Sequence, residues 1–332
     1  MIHRFAVAFG AGCAAAFLFA VSAQTSPLAM MLAYLAPLPI MIATMGWGAD
    51  AGAIAGATSV AAIILLADPF VSVWHAVATG FVFAASVAAP AWILAAWAFA
   101  PVTRLFPRRP ASSGAYASVG SIVALASVIG ILGAGAVLTA IIMVYGGYGE
   151  GAKQVAAALS ALASDAFDPK DDQARAFAET LVHLGPAAIA ASTVVMLSIN
   201  LYAAARSTQL SHRLQRPWPD LPTSLRLPWP LGVLALTCAA CAYALPAPAS
   251  QYFSIGLGGL GAAFVLQGLA VAHALSRGLK LRVVMLVALY ACCVLRAKYT
   301  LPVLAALGLI DAFAGLRTRA AFLPAPKPTP HK

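Results

Sequence analysis

Long apolar runs separated by short polar turns make up most of this chain. Many of the runs approach or exceed the roughly 20 residues that a helix needs to cross a bilayer core about 30 Å thick. The pattern therefore predicts membrane-spanning helices and no soluble core. In chain order, the predicted spans are residues 5–21, 27–45, 49–66, 71–98, 119–144, 186–205, 231–245 and 252–275, followed by two short segments within 283–316.

Residues 34–66, which join the second span to the third, form the most distinctive stretch. Pro37 and Pro39 interrupt the second span, and each proline frees a backbone carbonyl that water cannot reach inside a membrane. The third span carries small residues at intervals of four, which lie on one helix face and allow a neighbouring backbone to approach closely. These residues are Gly48, Gly52 and Gly56. We expect this pair of helices inside a bundle, beside a cavity.

The composition supports a membrane protein. Of the 332 residues, 62% are hydrophobic and 9% are charged, with a mean hydropathy of +0.90. Soluble domains carry about 25% charged residues, so a water-soluble class is excluded. The net charge of +10 does not indicate nucleic acid, because the basic residues lie in short turns and form no continuous basic face with interleaved aromatic residues.

The distribution of basic residues predicts the orientation. With a cytoplasmic N-terminus, fifteen of the 20 Lys and Arg residues fall on the cytoplasmic side, as the positive-inside rule requires. This distribution favours a hairpin of two short segments within 283–316, interrupted at Arg296, Lys298 and Pro302, over one long helix. The fold class predicted is an all-α polytopic transmembrane bundle of about nine to ten segments, in a bacterial inner membrane with both termini cytoplasmic.

Four regions follow from this pattern. Residues 1–144 form an N-terminal bundle of five helices, and residues 186–316 form a C-terminal bundle. Between them, the acidic stretch 145–185 is an external amphipathic insertion, a helical hairpin lying on the membrane surface, with an N-cap expected at Asp168 before Pro169. Residues 317–332 form a disordered cytoplasmic tail. Residues 1–23 also fit a cleaved signal peptide, although their small residues at intervals of four favour a retained helix.

Ionisable residues at membrane depth are costly, and this cost makes them candidates for function. The predicted topology places five of them near the outer side: Asp68, His75, Glu150, Arg296 and Lys298. All of these except Glu150 are candidate binding residues. The functional interpretation is an outward-facing pocket in which the two cations contact an anion or carboxylate. The alternative is that their side chains extend to the membrane interface. Asn200 and Gln267 are expected to link helices through hydrogen bonds, and Asp311 is expected to mark a helix end.

The sequence contains no set of residues that indicates an enzyme. No serine, histidine and acid are brought together by the topology, and neither a zinc-protease motif nor a phosphate-binding loop is present. Cys238 and Cys241 have the spacing of a redox or metal pair, yet no His or acidic residue stands beside them, so packing is the simpler interpretation. We therefore predict no enzyme activity, no cofactor and no metal.

Three motifs carry a resemblance to a known family. The stretch PLPIMIATMGWGADAGAIAG, the step Gln267-Gly268-Leu269-Ala270 and the closing Leu307-Gly308-Leu309-Ile310-Asp311-Ala312-Phe313 with Arg317 resemble the YybS-like family, bacterial membrane proteins of unknown function. The hairpin of prolines and glycines is more distantly similar to the S components of energy-coupling-factor vitamin transporters and to the rod-shape protein MreD. S components have about six spans, fewer than this chain, so none of their pocket residues is transferred.

The resemblance implies two alternative functions. An S-component-like protein would be a solute-binding or transport component, which docks a membrane-embedded coupling subunit through small residues of its first helix, here Ala11 and Ala15. An MreD-like protein would be a non-catalytic scaffold for cell-envelope assembly that uses the acidic insertion as a docking surface. In both cases the expected partners are the bilayer and a membrane protein, and in the first case a small solute as well. No nucleic-acid partner is expected.

Overall fold

The computed structural model describes residues 2–23, 26–66, 72–99, 116–163, 172–214 and 217–321. These ranges contain helices and no strand, which confirms the all-α class. The helices of the first half are α1 (Ile2–Ala20), α2 (Pro27–Ala33), α3 (Pro37–Trp47), α4 (Ala49–Leu65), α5 (Val73–Phe83) and α6 (Ala89–Phe99), with a π-helical turn at Ala84–Ala88 between the last two.

The second half begins with α7 (Val119–Val144) and α8 (Tyr148–Ala163). The helices that follow are α9 (Asp172–Leu210), α10 (Leu221–Ser224), α11 (Trp229–Ala244), α12 (Ala249–Leu275), α13 (Arg282–Leu295), α14 (Ala297–Ala314) and α15 (Leu316–Ala321).

Ten helical stretches in the described ranges match the ten predicted segments. Seven are long and apolar enough to cross a membrane, and three shorter apolar helices, α4, α11 and α13, stand where the remaining segments were expected. The protein is therefore a polytopic helical bundle.

The second predicted span is two helices, and the break lies where the prolines require it. The amides of Leu35, Ala36 and Leu38 each bond to the carbonyl three residues earlier, at 2.9–3.1 Å. The Tyr34 carbonyl is left without a helical partner. Asn200 of α9 supplies that partner, because its Nδ2 donates to Tyr34 O at 2.7 Å. The prediction that Asn200 links helices is confirmed, and a buried amide compensates for the proline break.

Replacing Asn200 with Ala should lower the free energy of unfolding by about 1–3 kcal/mol, the cost of a buried carbonyl that loses its donor. Ser192→Ala is a matched control on the same helix, since the Ser192 hydroxyl bonds only to Ile189 O of its own helix. Unfolding of both variants in mixed micelles measures the effect. Equal losses for the two variants would show that the link to Tyr34 carries no stability.

The glycine face of α4 packs against α3 and α6. A Cβ added at Gly52 would lie 1.9 Å from Thr44 Oγ1 of α3 and 3.0 Å from Trp92 Cδ1 of α6. Trp92 also donates from Nε1 to Ala49 O at 2.9 Å. Gly48, at a φ of +104°, forms the turn between α3 and α4. The small residues thus serve the close approach of helices within the chain.

The insertion differs in one respect from the predicted hairpin. Helix α8 is its first arm and packs against α7 and α9. The second arm and the predicted sixth span are one helix of 39 residues, which continues through Pro186. A proline removes one backbone hydrogen bond and allows a helix to continue with a kink. Asp168 and Pro169 lie outside the described residues.

The C-terminal bundle is built around α12, which packs against α9, α11 and α14. Helices α12 and α14 approach through reciprocal glycines. A Cβ at Gly268 would lie 2.0 Å from Leu304 O, and one at Gly308 would lie 2.1 Å from Phe264 O. Helix α13 contains no buried residue, and Arg296 separates it from α14. The predicted interruption at Arg296 is therefore present.

Candidate functional site

The four ionisable residues selected from the sequence do not form a site within the described residues. Asp68 lies outside them. His75 is exposed on the first turn of α5, with Nδ1 2.7 Å from Ser72 Oγ. Arg296 and Lys298 are exposed at the start of α14, where the Lys298 ammonium lies 4.9 Å from the Tyr299 ring centroid. No contact among described residues joins His75 to either cation, and none of these residues lines the cavities described below.

The small-residue face of α1, predicted to dock a partner, contacts the chain itself. Ala15 is fully buried, and Ala11 is half-buried against the same core. Gly12, between them, approaches α4 so closely that a Cβ there would lie 2.5 Å from Ala55 O. The small residues that were expected to dock a coupling subunit thus pack within the bundle.

A buried polar cluster of Gln267, Asp311 and Arg317 lies between α12, α14 and α15. The side chains of Asp311 and Arg317 are each 4% exposed and form an ion pair with a distance of 2.7 Å between Oδ2 and NH2. The Arg317 backbone amide and Nε also donate to the carboxylate, and Gln267 Nε2 donates to Oδ2 at 2.9 Å. The Asp311 carboxylate is therefore surrounded by donors.

This buried polar cluster also holds the segment that precedes α11. Arg317 donates to Pro222 O at 2.7 Å and to Leu225 O at 2.6 Å. The Leu227 amide donates to Gln267 Oε1 at 2.8 Å. Residues 217–227, which contain three prolines and could not form a long helix, are thereby fixed against α12 and α15 by charge-assisted and neutral hydrogen bonds.

On its other side, this fixed segment encloses a cavity of about 650 Å³. We call it the polar chamber; its walls include Tyr202 and Arg206 of α9, His273 of α12 and Tyr290 of α13. Trp218 and Asp220 of the segment complete the wall. The arrangement brings aromatic, cationic and imidazole side chains from four parts of the chain to one hollow.

A second cavity of about 210 Å³ adjoins the first. We call it the apolar chamber, because its walls are almost entirely hydrocarbon, with Ile122 and Val123 of α7 and Leu201 of α9 among them. Five residues line both chambers and mark the boundary between them: Tyr202, Trp218, Leu221, Leu225 and Leu266. The two chambers together form a concave site with a polar part and an apolar part.

The charges around the polar chamber do not cancel. Asp220 is paired with Arg277, whose NH2 lies 2.6 Å from Oδ1. This hydrogen bond, with a second from Thr223, holds the pKa of Asp220 below its ordinary value. Arg206 bonds through NH1 to the neutral Gln209 side chain at 3.0 Å and forms no ion pair with an acidic residue in the part of the chain that the structure describes. The wall therefore carries the positive charge of Arg206, with Asp220 neutralised by its own arginine.

His273 is oriented by its neighbours. Its Nδ1 lies 2.9 Å from Leu269 O, so this nitrogen carries the hydrogen. Nε2 then faces the Tyr290 hydroxyl at 3.5 Å, and the two rings meet edge to face. The imidazole contributes a fixed polar edge to the polar chamber.

Two buried hydrogen-bonding atoms beside the apolar chamber have no partner among the described residues. They are Trp218 Nε1 and Ser198 Oγ, and both side chains line that chamber. A buried polar atom without a partner loses free energy unless a ligand or water supplies one. A molecule in the apolar chamber would lie beside both of these atoms.

Sequence reasoning missed this site. Arg206 and His273 lie near the ends of apolar helices, where charged residues are ordinary, and Asp220 lies in a turn. The one available signal was the run Pro217-Trp218-Pro219-Asp220-Leu221-Pro222, in which an aromatic and an acid are rigidified by prolines. Among the described residues no group of three His, Cys, Asp or Glu side chains is placed to hold a metal, and the five cysteines are free thiols.

Comparison with known proteins agrees with the architecture. A family model described as "Predicted membrane protein (DUF2232)" matches residues 13–312, which is nearly the whole chain. No curated protein and no solved structure matches.

Proposed function

We propose that this chain, which belongs to the DUF2232 family of predicted membrane proteins, is the solute-binding component of a membrane system. The observation that carries the proposal is the pair of adjoining chambers, with unpaired Trp218 Nε1 and Ser198 Oγ beside the apolar one. Small-molecule sites are typically concave, mostly apolar and provided with a few polar groups. The two chambers have these properties.

The rigidity of the site also supports binding. The segment that separates the chambers is held by the buried polar cluster through Pro222 O, Leu225 O and the Leu227 amide. Asp220 and Arg277 fix its other end to the terminus of α12. A preformed site spares a ligand the cost of ordering the protein.

The orientation of the site in the proposal, and its place in a bacterial inner membrane, come from the sequence. The positive-inside pattern places residues 206–226 and 277–282 on the cytoplasmic face of a bacterial inner membrane, so the polar chamber opens toward the cytoplasm. The likeness to S components suggests a solute-binding class, but S components open outward, so it does not support the position of this site. The YybS-like resemblance implies no function, because that family has none assigned. The MreD-like scaffold needs no chamber.

Protein purified from membranes without added ligand should retain a small molecule, which solvent extraction and mass spectrometry would detect. The variant Ser198→Phe places a ring into the apolar chamber and should lose that molecule. Ser207→Phe is the matched control, because Ser207 is exposed on the same helix α9, and it should retain the molecule.

A milder variant keeps the test decisive if Ser198→Phe fails to fold. Trp218→Phe keeps an aromatic side chain, although a smaller one than indole, and removes the unpaired Nε1 hydrogen; it should reduce the retained amount by about two- to tenfold, the equivalent of one hydrogen bond. Identical extracts from the wild-type protein and from both folded variants would contradict the proposal and favour the scaffold.

A further inference from the structure

The charge and the unpaired donors of the two chambers together indicate the chemical class of the ligand. We infer, on the basis of the proposed function, that the site takes an amphipathic anion whose acidic head contacts Arg206 and whose apolar body, carrying a hydrogen-bond acceptor, enters the chamber beside Trp218.

The first step concerns the head group. The charged groups that face the polar chamber are Arg206 from α9 and Asp220 from the segment, with Arg277 occupied by Asp220. His273 and the hydroxyls of Tyr202 and Tyr290 complete its polar edge. A cationic ligand would be repelled by Arg206 and would compete with Arg277 for the one carboxylate in the wall, Asp220. An anionic head gains charge-assisted hydrogen bonds from the guanidinium.

The second step concerns the body of the ligand. The apolar chamber, at about 210 Å³, has walls of Val, Ile and Leu side chains. Water alone would find too few polar partners there to fill it. A hydrocarbon or aromatic body fits this lining, and the head then remains in the polar chamber across the boundary at Tyr202 and Leu225.

The third step concerns the acceptor. An indole Nε1–H donates and cannot accept, and this one is buried with no acceptor among the residues described. Ser198 Oγ, also buried and unpaired, can donate or accept. A purely hydrocarbon body would leave both atoms unsatisfied. A ring nitrogen, carbonyl or ether oxygen on the body would satisfy the indole and distinguish this ligand from a plain fatty acid.

The experiment uses the full-length protein in lipid nanodiscs and four matched probes, with empty nanodiscs as the partition control. Naphthalene-2-carboxylate, naphthalene-2-carboxamide and 2-naphthylmethylammonium differ in head-group charge, and quinoline-6-carboxylate adds a ring acceptor. Equilibrium dialysis should show the carboxylate binding about tenfold more tightly than the amide, as one charge-assisted hydrogen bond gives. The ammonium should bind more weakly than the amide.

Two test variants and one control variant assign these differences in binding affinity to individual residues. Arg206→Gln should abolish the preference for carboxylate over amide, whereas Arg319→Gln, an exposed arginine outside the chambers, should leave it unchanged. Quinoline-6-carboxylate should bind a few-fold more tightly than naphthalene-2-carboxylate, and Trp218→Phe should remove this gain.

A failure of the inferred ligand class can be distinguished from a failure of the proposed function. Equal or tighter binding of the amide or the ammonium, or a carboxylate preference that survives Arg206→Gln, overturns the ligand class. If no probe binds above the empty nanodiscs while extraction still gives a molecule lost in Ser198→Phe, the ligand class fails and the proposed function stands. If extraction fails as well, both fail.

Discussion

Replacing Asp311 with Ala lowers the free energy of unfolding by about 3–5 kcal/mol, which is the usual cost of leaving one partner of a buried ion pair without its counter-charge. Arg317 would keep its bonds to Pro222 O and Leu225 O, but its guanidinium would stay buried and lose two hydrogen bonds to the carboxylate, and its backbone amide would lose a third. Unfolding in mixed micelles, followed by circular dichroism, measures the loss.

Two further variants separate charge from packing. Arg319→Ala removes an exposed arginine on the same short helix and should change stability by less than about 1 kcal/mol. The double variant Asp311→Leu with Arg317→Met removes both buried charges and should recover part of the loss, although Pro222 O and Leu225 O then lack their donor. A loss for Asp311→Ala no larger than that for Arg319→Ala would contradict the role of the buried polar cluster.

Replacing Gly268 with Ala separates α12 from α14 and costs about 1–3 kcal/mol of unfolding free energy, the range for overpacking a filled interior. The added Cβ would lie 2.0 Å from Leu304 O and 2.8 Å from its carbonyl carbon. These atoms are backbone, so no side chain can rotate away and the whole helix must move. Gly308→Ala should have a similar effect, because its Cβ would lie 2.1 Å from Phe264 O.

The control for this prediction lies on the same helix. A Cβ at Gly261 of α12 would meet nothing within 4 Å. Gly261→Ala should therefore raise stability slightly, by up to about 1 kcal/mol, since alanine restricts the unfolded chain more than glycine does. The same micelle titration compares the two variants. Similar stabilities for Gly268→Ala and Gly261→Ala would show that α12 and α14 are not in the close contact described.

The helices could be predicted from the sequence because hydropathy and small-residue spacing are local. Runs of apolar residues in the described ranges coincide with helices, and the break after Tyr34 follows from Pro37 having no amide hydrogen. Asn200 could be expected to link helices, since an amide at membrane depth requires a partner. Its acceptor, Tyr34 O, could not be identified, because 166 residues separate the two.

The buried ion pair could not be predicted because it depends on a local change of direction. Gly315, at a φ of +62°, ends α14 in the left-handed region and turns the chain so that Arg317 returns to Asp311. In a continuous helix, residues six apart lie on different faces. The sequence suggested a charged helix end at Asp311 and placed Arg317 at the start of a disordered tail. The structure corrects both interpretations, because residues Leu316–Ala321 are helical and the pair is buried.

The selection of Arg296 and Lys298 shows the limit of hydropathy as a guide to function. A charge that interrupts an apolar run is visible in the sequence whether it lines a cavity or extends to the interface. The structure places both residues at the exposed start of α14. The chambers, by contrast, are formed by a proline-rich turn folding against four helices, and no local pattern reports that arrangement.

The most direct test is a density map of the wild-type protein in lipid nanodiscs, with a bound antibody fragment to aid alignment. We expect density for a non-protein molecule that spans both chambers, with one end within hydrogen-bonding distance of Arg206 and an acceptor beside Trp218 Nε1. A map in which side chains fill the space between Ser198, Trp218 and Arg206, with no room for another molecule, would contradict the account.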